Sequence, residues 1–468
     1  MGKLLASLAI AAACCAAAPG AKQPQTDDRL KHSSRKPEQN GWIQVRLEGS
    51  PREVGYQHGY WLAPEIQDTY RVISAGLIHD SKKPLPFFRA AAEKILWPHI
   101  EAQYREELKG IVEGAKAKGV SMDLWDVVVL NAWMELSPYY TTWYDKKHNV
   151  VSSNRAVPEH CSAFVATGSY TKDGKAVIAH NNWTEYKEGS RWNIVFDIAP
   201  TQGHHFVMDG LPGMIHSGDD FGVNDAGIAI TETTIGHFFG FDPNGIPEFA
   251  RARKAMQYAA SINEFAAIMK EGNNGGYANN WLIVDSKKNE IGSLELGLKN
   301  VTLQTKTDGY FVGSNFPANP KLLAEETDFP ATDMGVTANA RHIRWDQLMA
   351  ENKGKIDVAA AQGFLADHYD TYDKKTQPNE RTLCGHIDLS PRGSKPWEPE
   401  YGIAGAVQNK AADAAMIEQL SFTAAMGHSC GLHFNAAAHL KQHPEYAWQK
   451  DLLKDLPSQP WTTFRAAK

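Results

Sequence analysis

The chain has 468 residues, of which 43% are hydrophobic and 22% charged. Those fractions exclude a disordered, collagenous or coiled-coil chain and leave room for one large domain or two to three ordinary ones. Its 48 basic and 54 acidic side chains give a net charge of −6, which excludes a broad nucleic-acid footprint.

Residues 1–21 read as a signal peptide. Lys3 precedes an apolar stretch from Leu4 to Ala18, with small residues around Ala16 to Ala21. That is the order of charged, apolar and cleavage regions in an export signal. The mature chain is therefore expected in the periplasm, a secreted pool or a lysosome-like compartment. Cys14 follows three alanines and leaves a lipid anchor open as an alternative. Residues 22–40 are polar and read as a tether. No later apolar run reaches the roughly 20 residues of a spanning helix, so no transmembrane span is expected.

Residues 41–160 carry a mostly helical pattern. Ser50-Pro51-Arg52-Glu53 is a capping start for a helix over 52–66. Leu108, Ile111, Val112 and Ala115 fall at helical spacing over 104–118, and Gly119 ends that run. Residues 125–136 read as a further apolar helix. From Cys161 onward the pattern turns to strands. Residues 162–166 and 176–179 flank Asp173-Gly174, a hairpin signal. Residues 191–198 and 227–234 alternate, and 281–285 with 293–298 flank a Lys287-Lys288-Asn289 turn. Residues 247–258, 262–270 and 340–349 read as helices. The sum is an α+β layered chain.

Removal of the signal leaves three cysteines: Cys161, Cys384 and Cys430. An odd number in an exported chain leaves at least one thiol over. Cys384 and Cys430 form a candidate disulfide in an oxidising compartment. His204 and His205 are adjacent and point to opposite faces of a strand. The 18 histidines show no ligand spacing, so neither a metal nor a cofactor is expected. The sequence has no H-E-x-x-H motif or Walker loop.

Cys161 stands where the helical pattern gives way to strands. A buried structural cysteine is one reading. The other is a self-cleaving nucleophile. Its thiol attacks the preceding carbonyl, and an N→S acyl shift followed by hydrolysis exposes a new α-amine. That amine, with a pKa of about 8 in peptides, then serves as base for its own thiol.

Cys161-Ser162-Ala163-Phe164, followed by Ala179-His180-Asn181-Asn182-Trp183, resembles the phospholipase B-like family. That family carries Cys-Ser-Ala and then Ala-His-Asn-Thr-Trp on the partner strand. Pro212-Gly213-Met214, Ser217-Gly218-Asp219-Asp220-Phe221 and Thr231-Glu232-Thr233-Thr234 resemble further blocks in the same order. So do Tyr277-Ala278-Asn279-Asn280-Trp281 and Ser314-Asn315-Phe316-Pro317. Gly49-Ser50-Pro51 with Gly55-Tyr56-Gln57-His58-Gly59 resembles the acyl-CoA:6-aminopenicillanate acyltransferase family of self-processing cysteine hydrolases.

The resemblance implies a four-layer αββα N-terminal-nucleophile fold, with two stacked antiparallel sheets between helix layers. It also implies a helical fragment, 41–160, ahead of a catalytic fragment, 161–468. Cys161 matches the nucleophile, and Asn315 the asparagine whose amide lines the oxyanion hole. Arg341 matches the arginine near the nucleophile, with Arg344 as the alternative. His180 and Trp183 match hairpin residues beside the nucleophile, where many relatives carry Arg and Asp; a packing role for His180 stays open. Asn224, in Gly222-Val223-Asn224-Asp225-Ala226-Gly227, resembles an oxyanion-supporting turn of bile-salt hydrolases, or is a plain turn former. Asn279 and Asn280 read as structural residues at a strand start, with Asn279 next in line for the oxyanion role after Asn315. The implied activity is hydrolysis of an ester or amide acyl bond in a small acylated or lipid substrate. An N-acyl amidase or acyltransferase, and a non-catalytic lipid-binding protein of the same fold, are the alternatives.

Overall fold

A computed structural model describes residues 27–150, 161–218, 221–394 and 399–467. The signal-peptide and Cys14 readings lie outside the described residues, as do His160 and Asp219-Asp220.

Four glycines set the first helix pair. Pro51–Trp61 starts at Ser50, whose N–H donates to Glu53 Oε2 at 2.8 Å, the capping arrangement that the sequence signals. The helix expected over 52–66 breaks at Leu62. Pro64 lies in the first turn of a new helix, Ala63–Ser81, because its ring is tolerated in a first turn and not in an interior. Gly55 and Gly59 meet Gly110 and Gly114 of the Ala102–Ala117 helix. A Cβ on Gly55 would stand 1.9 Å from the Glu107 carbonyl oxygen, and one on Gly59 2.1 Å from that of Ile111. Close approach also seats His58, whose Nε2 accepts from the Gly213 N–H at 2.8 Å. The Gly55–Gly59 block is thus a packing device.

Two sheets lie face to face. Among the described residues the larger has nine strands, in the order Ser34–Arg35, Ile43–Gly49, Ile194–Pro200, Phe206–Gly210, Gly222–Asn224, Ile228–Thr234, Asn279–Asp285, Glu290–Leu296 and Val301–Lys306. The smaller has six: Gly309–Gly313, Ser162–Thr167, Val177–Glu185, Ala404–Asp413, Ser421–Met426 and Thr462–Arg465. Their ladders are antiparallel except one, Ile43–Gly49 beside Ile194–Pro200, which runs parallel from Ile43↔Ile194 to Gly49↔Pro200. The part of the chain ahead of Cys161 is therefore not helical throughout. The expected hairpins form: Ser162 pairs with Asn181, and Glu290 with Asp285.

Alternation along the strands builds three apolar layers. Ala163, Val165 and Ile178 of the small sheet pack with Val195, Val207 and Leu282 of the large one. The outer face of the large sheet is covered by helices that include Leu124–Met134, Glu248–Tyr258 and Ile262–Lys270. That of the small sheet is covered by Thr337–Glu351 and Val358–Leu365, whose Trp345, Met349 and Phe364 pack on Phe164 and Val177. The layers run α, β, β, α, as the resemblance implies. No helix among the described residues is long and apolar enough to cross a membrane.

His204 and His205 face separate aspartates, Asp225 at 2.6 Å and Asp197 at 2.5 Å. The candidate disulfide is not formed. Cys384 and Cys430 are free thiols, each 3.5 Å from His386 Nε2 instead.

Candidate active site

Cys161 leads into the Ser162–Thr167 strand and is 1% exposed. Its φ is +91°, in a left-handed region that costs an ordinary residue about 1–3 kcal/mol. Register fixes its neighbour. Ser162 pairs with Asn181, and one step back the Cys161 thiol lies 3.9 Å from Asn182 Oδ1.

Arg341, one turn into the Thr337–Glu351 helix, is fully buried. Its Nε donates to Thr337 Oγ1 at 3.0 Å, and its Nη1 to the Cys161 carbonyl and to Ser162 Oγ at 3.1 Å. Nη2 donates to Asn315 Oδ1 at 2.8 Å. The guanidinium lies over the Trp183 ring, 4.4 Å from its centroid. A flat fork of donors that also stacks is a capability of arginine and not of lysine. Arg344, three residues on, pairs instead with Asp367 at 2.8 and 2.9 Å. The helix thus brings Arg341 to Cys161 and turns Arg344 away.

Asn315 follows the Gly309–Gly313 strand, whose Gly313 pairs with Ala163, two residues past Cys161. Arginine offers only donors, so the Asn315 oxygen faces Arg341 and its Nδ2 donates to the Thr234 carbonyl at 2.8 Å. Thr234 pairs across the ladder with Asn279. Asn279 is fully buried, and neither atom of its amide has a hydrogen-bond partner. An unsatisfied buried amide costs about 1–3 kcal/mol. Nearby, Glu295 accepts from the Ala318 N–H at 2.6 Å, in the loop that carries Asn315. Burial pushes that carboxyl up to about 7.

His180 and Trp183 lie on opposite faces of the Val177–Glu185 strand. His180 stands between Ala163 on one neighbouring strand and Lys410 on the other, facing the layer between the sheets. Lys410 Nζ lies 3.2 Å from Asp209 Oδ2, to which Gln408 also donates at 2.7 Å. Trp183 faces outward, under Arg341.

Asn224 is not brought to this cluster. Its Nδ2 donates to the Met256 and Ala259 carbonyls at 3.1 and 2.9 Å, and its Oδ1 accepts from the Ile228 N–H at 3.1 Å. Both amide hydrogens are used in ending the Glu248–Tyr258 helix, and the oxygen closes the turn. The turn-forming alternative describes it. Asn182, by contrast, carries no role in the sequence, and Asn279 enters there as a strand-start residue and the next oxyanion candidate after Asn315. Their only signal there is a polar residue inside the quoted Asn-Asn-Trp blocks.

The cluster joins a strained cysteine, a buried guanidinium that fixes its carbonyl, and amides able to stabilise a developing negative charge. Human phospholipase B-like 1 is 22% identical over 426 residues, 80% of this chain and 74% of that protein. The 40 kDa form of acyl-coenzyme A:6-aminopenicillanic-acid-acyltransferase from Emericella nidulans is 24% identical over 70% of this chain and 83% of its own. The chain spans about half the length of curated relatives from Archaeoglobus fulgidus, Caenorhabditis elegans and Mus musculus, at 50%, 56% and 50%. A solved structure of a mutant conjugated bile acid hydrolase from Clostridium perfringens covers 56% of this chain and 88% of that one, with 10% identity and a TM-score of 0.32. The sequence profile of the phospholipase B family matches residues 87–460, and the chain belongs to that family.

Proposed function

We propose that the chain is an exported, self-cleaving cysteine hydrolase of acyl bonds, with Cys161 as nucleophile. The observation that carries this reading is the buried Arg341, which ties the Cys161 carbonyl, Ser162, Asn315 and Trp183 into one unit. In the uncleaved chain the Cys161 nitrogen is an amide. Its thiol adds to the His160 carbonyl carbon, the C–N bond breaks, and a proton moves to the departing amine. Water then hydrolyses the thioester. The freed α-amine takes the thiol proton in each later turnover. The Cys161 sulfur attacks the substrate carbonyl, amide donors such as Asn315 and Asn279 stabilise the oxyanion, and water releases the acyl group.

The names of the relatives support a fatty acyl chain leaving a lipid or an N-acylated small molecule; Arg341, fully buried with its donors on Thr337, Cys161, Ser162 and Asn315, holds the site rather than an anionic head. Acyl transfer to an amine is the second reading, favoured by the acyltransferase relative. Paired lysophospholipids and N-acyl amino acids separate the two substrate classes.

Processing is the direct test. Mature wild-type protein is expected as two fragments on a denaturing gel, one beginning at Cys161, and Cys161→Ala as a single chain. Under native conditions the fragments should co-elute, because the Ile43–Gly49 strand lies inside the sheet built by the later fragment. A wild-type chain that stays intact and is fully active would overturn the mechanism.

A further inference from the structure

A second cluster lies behind the active-site strand. His368, Cys384, His386 and Cys430 converge so that their ligand atoms all lie within 4.8 Å of one another. His386 Nε2 is 3.3 Å from His368 Nε2 and 3.5 Å from each of Cys384 Sγ and Cys430 Sγ. Zinc holds imidazole nitrogen at about 2.0–2.1 Å and thiolate sulfur at about 2.3 Å in a tetrahedron. Those bond lengths give edges of about 3.4 Å between nitrogens and about 3.6 Å between nitrogen and sulfur. The three observed edges match. Two thiolates and two imidazoles also suit zinc rather than magnesium, calcium or manganese, which prefer oxygen. We propose that these four residues form a Cys2His2 zinc site.

The surroundings fit a structural site. Cys384 and His386 are buried, while His368 and Cys430 are half-buried and leave an entry path. His386 stacks on His428 with centroids 4.1 Å apart, and its Nδ1 lies 3.9 Å from Asp388 Oδ1. Ser429 Oγ lies 3.8 Å from Cys384 Sγ and donates to the Leu365 carbonyl at 2.7 Å. Each thiol gives up its proton as the metal binds. The chain around the ligands touches the nucleophile's neighbour strand. Asn181 Nδ2 donates to the Leu365 and Leu383 carbonyls, both at 2.8 Å. Gly385 lies so close to Trp183 that a Cβ would stand 2.2 Å from its ring. A metal that locks Cys384 and His386 therefore fixes the back of the Trp183–Arg341 stack. Linear spacing conceals the site: His368 and His386 are 18 residues apart, and His386 and Cys430 are 44 apart. The expectation of no metal rested on that spacing alone.

The test reads metal, not acyl cleavage, so it stands apart from the hydrolase reading. Full-length mature protein purified without chelator is expected to carry one zinc per chain by mass spectrometry of the metal. Cobalt(II) added after chelation should give the visible ligand-field and sulfur charge-transfer bands of a tetrahedral S2N2 site. Cys430→Ser and His368→Ala should lose both signals. If those variants fail to fold, the wild-type cobalt spectrum decides alone. Wild-type protein that takes up neither metal overturns the site, as does a peptide map of thiol-trapped protein in which Cys384 and Cys430 are joined as a disulfide.

Discussion

A non-glycine residue at φ +91° stays there only if its neighbours hold it. At Cys161 the holding groups are Arg341, on the carbonyl, and the ladder that begins at Ser162. The strain thus sits next to the peptide bond proposed to break. Arg341 also decides the orientation of Asn315, since it binds the amide oxygen and turns the nitrogen toward Thr234. Asn315→Ala should lower Tm, because Arg341 Nη2 and the Thr234 carbonyl lose a partner, and the surviving folded protein should lose roughly a hundredfold or more in kcat, the scale of one oxyanion donor. Asn279→Ala should lose turnover by a similar factor with unchanged or higher Tm, because the native amide is unsatisfied. Asn224→Ala should do the reverse, lowering Tm while sparing kcat in the surviving folded protein. Full activity in Asn279→Ala would return that residue to a packing role. The motif blocks made Cys161, Asn315 and Trp183 readable in the sequence. Spacing did not separate Arg341 from Arg344, since only the packed face of a helix tells residues three apart from each other. Asn224 was ambiguous because an Asn-x-x-Gly turn looks the same whether or not it serves chemistry. An amide without a partner, as at Asn279, has no sequence signature at all.

Among elements, the pair Pro51–Trp61 and Ala102–Ala117 is the most intolerant of added atoms. A Cβ on Gly59 would meet the Ile111 carbonyl oxygen at 2.1 Å, and one on Gly114 the Tyr56 carbonyl oxygen at 2.0 Å. Backbone cannot swing aside as a side chain can, so the helices must separate and His58 must leave Gly213. Gly59→Ala is expected to destabilise by several kcal/mol, as overpacking in a tight contact does. Gly363, inside Val358–Leu365, has no atom within 4 Å of a built Cβ. Gly363→Ala should therefore stabilise by about 0.4–1 kcal/mol through helix propensity and chain entropy. Urea unfolding of the two variants checks both signs. The helix over 104–118 was legible because one face of its period is apolar, and the 162–179 hairpin because two short apolar runs flank Asp173-Gly174. The Ala404–Asp413 strand was not, because it is buried on both faces nearly throughout and mixes Gln408, Asn409 and Lys410 into its core. Ile43–Gly49 does alternate, Ile43, Val45 and Leu47 against Gln44, Arg46 and Glu48, but lies in a segment whose other signals are helical.

At the scale of the whole molecule, layering followed from the order of elements, and the interleaving of the two fragments did not, because parallel pairing of residues 151 apart leaves no local mark. The same layers bury titratable groups, and two of them give the folded state opposing pH dependences. Burial pushes His58 down to about 3, with the Arg253 charge adding to it. The unfolded chain takes up that proton near pH 6.5, so His58 stabilises the fold fully above about 6.5 and less as pH falls toward 3. Burial pushes Glu295 up to about 7 from 4.5. Here the folded state binds the proton more tightly, so its contribution is full below about 4.5 and is lost as pH rises through 7. Each group alone changes stability by about 1.4 kcal/mol per pH unit inside its window. Between about pH 4.5 and 6.5 the two slopes are opposite in sign and offset each other. Glu295→Gln keeps an acceptor for the Ala318 N–H and removes one slope. The variant should therefore gain on the wild type as pH rises from 4.5 to 7, by up to about 3 kcal/mol, and hold a constant difference above that. Urea midpoints of both proteins measured across this range isolate Glu295, because every other titrating group is common to the pair. A difference that does not change between pH 4.5 and 7 would mean that the carboxyl is already ionised in the folded protein.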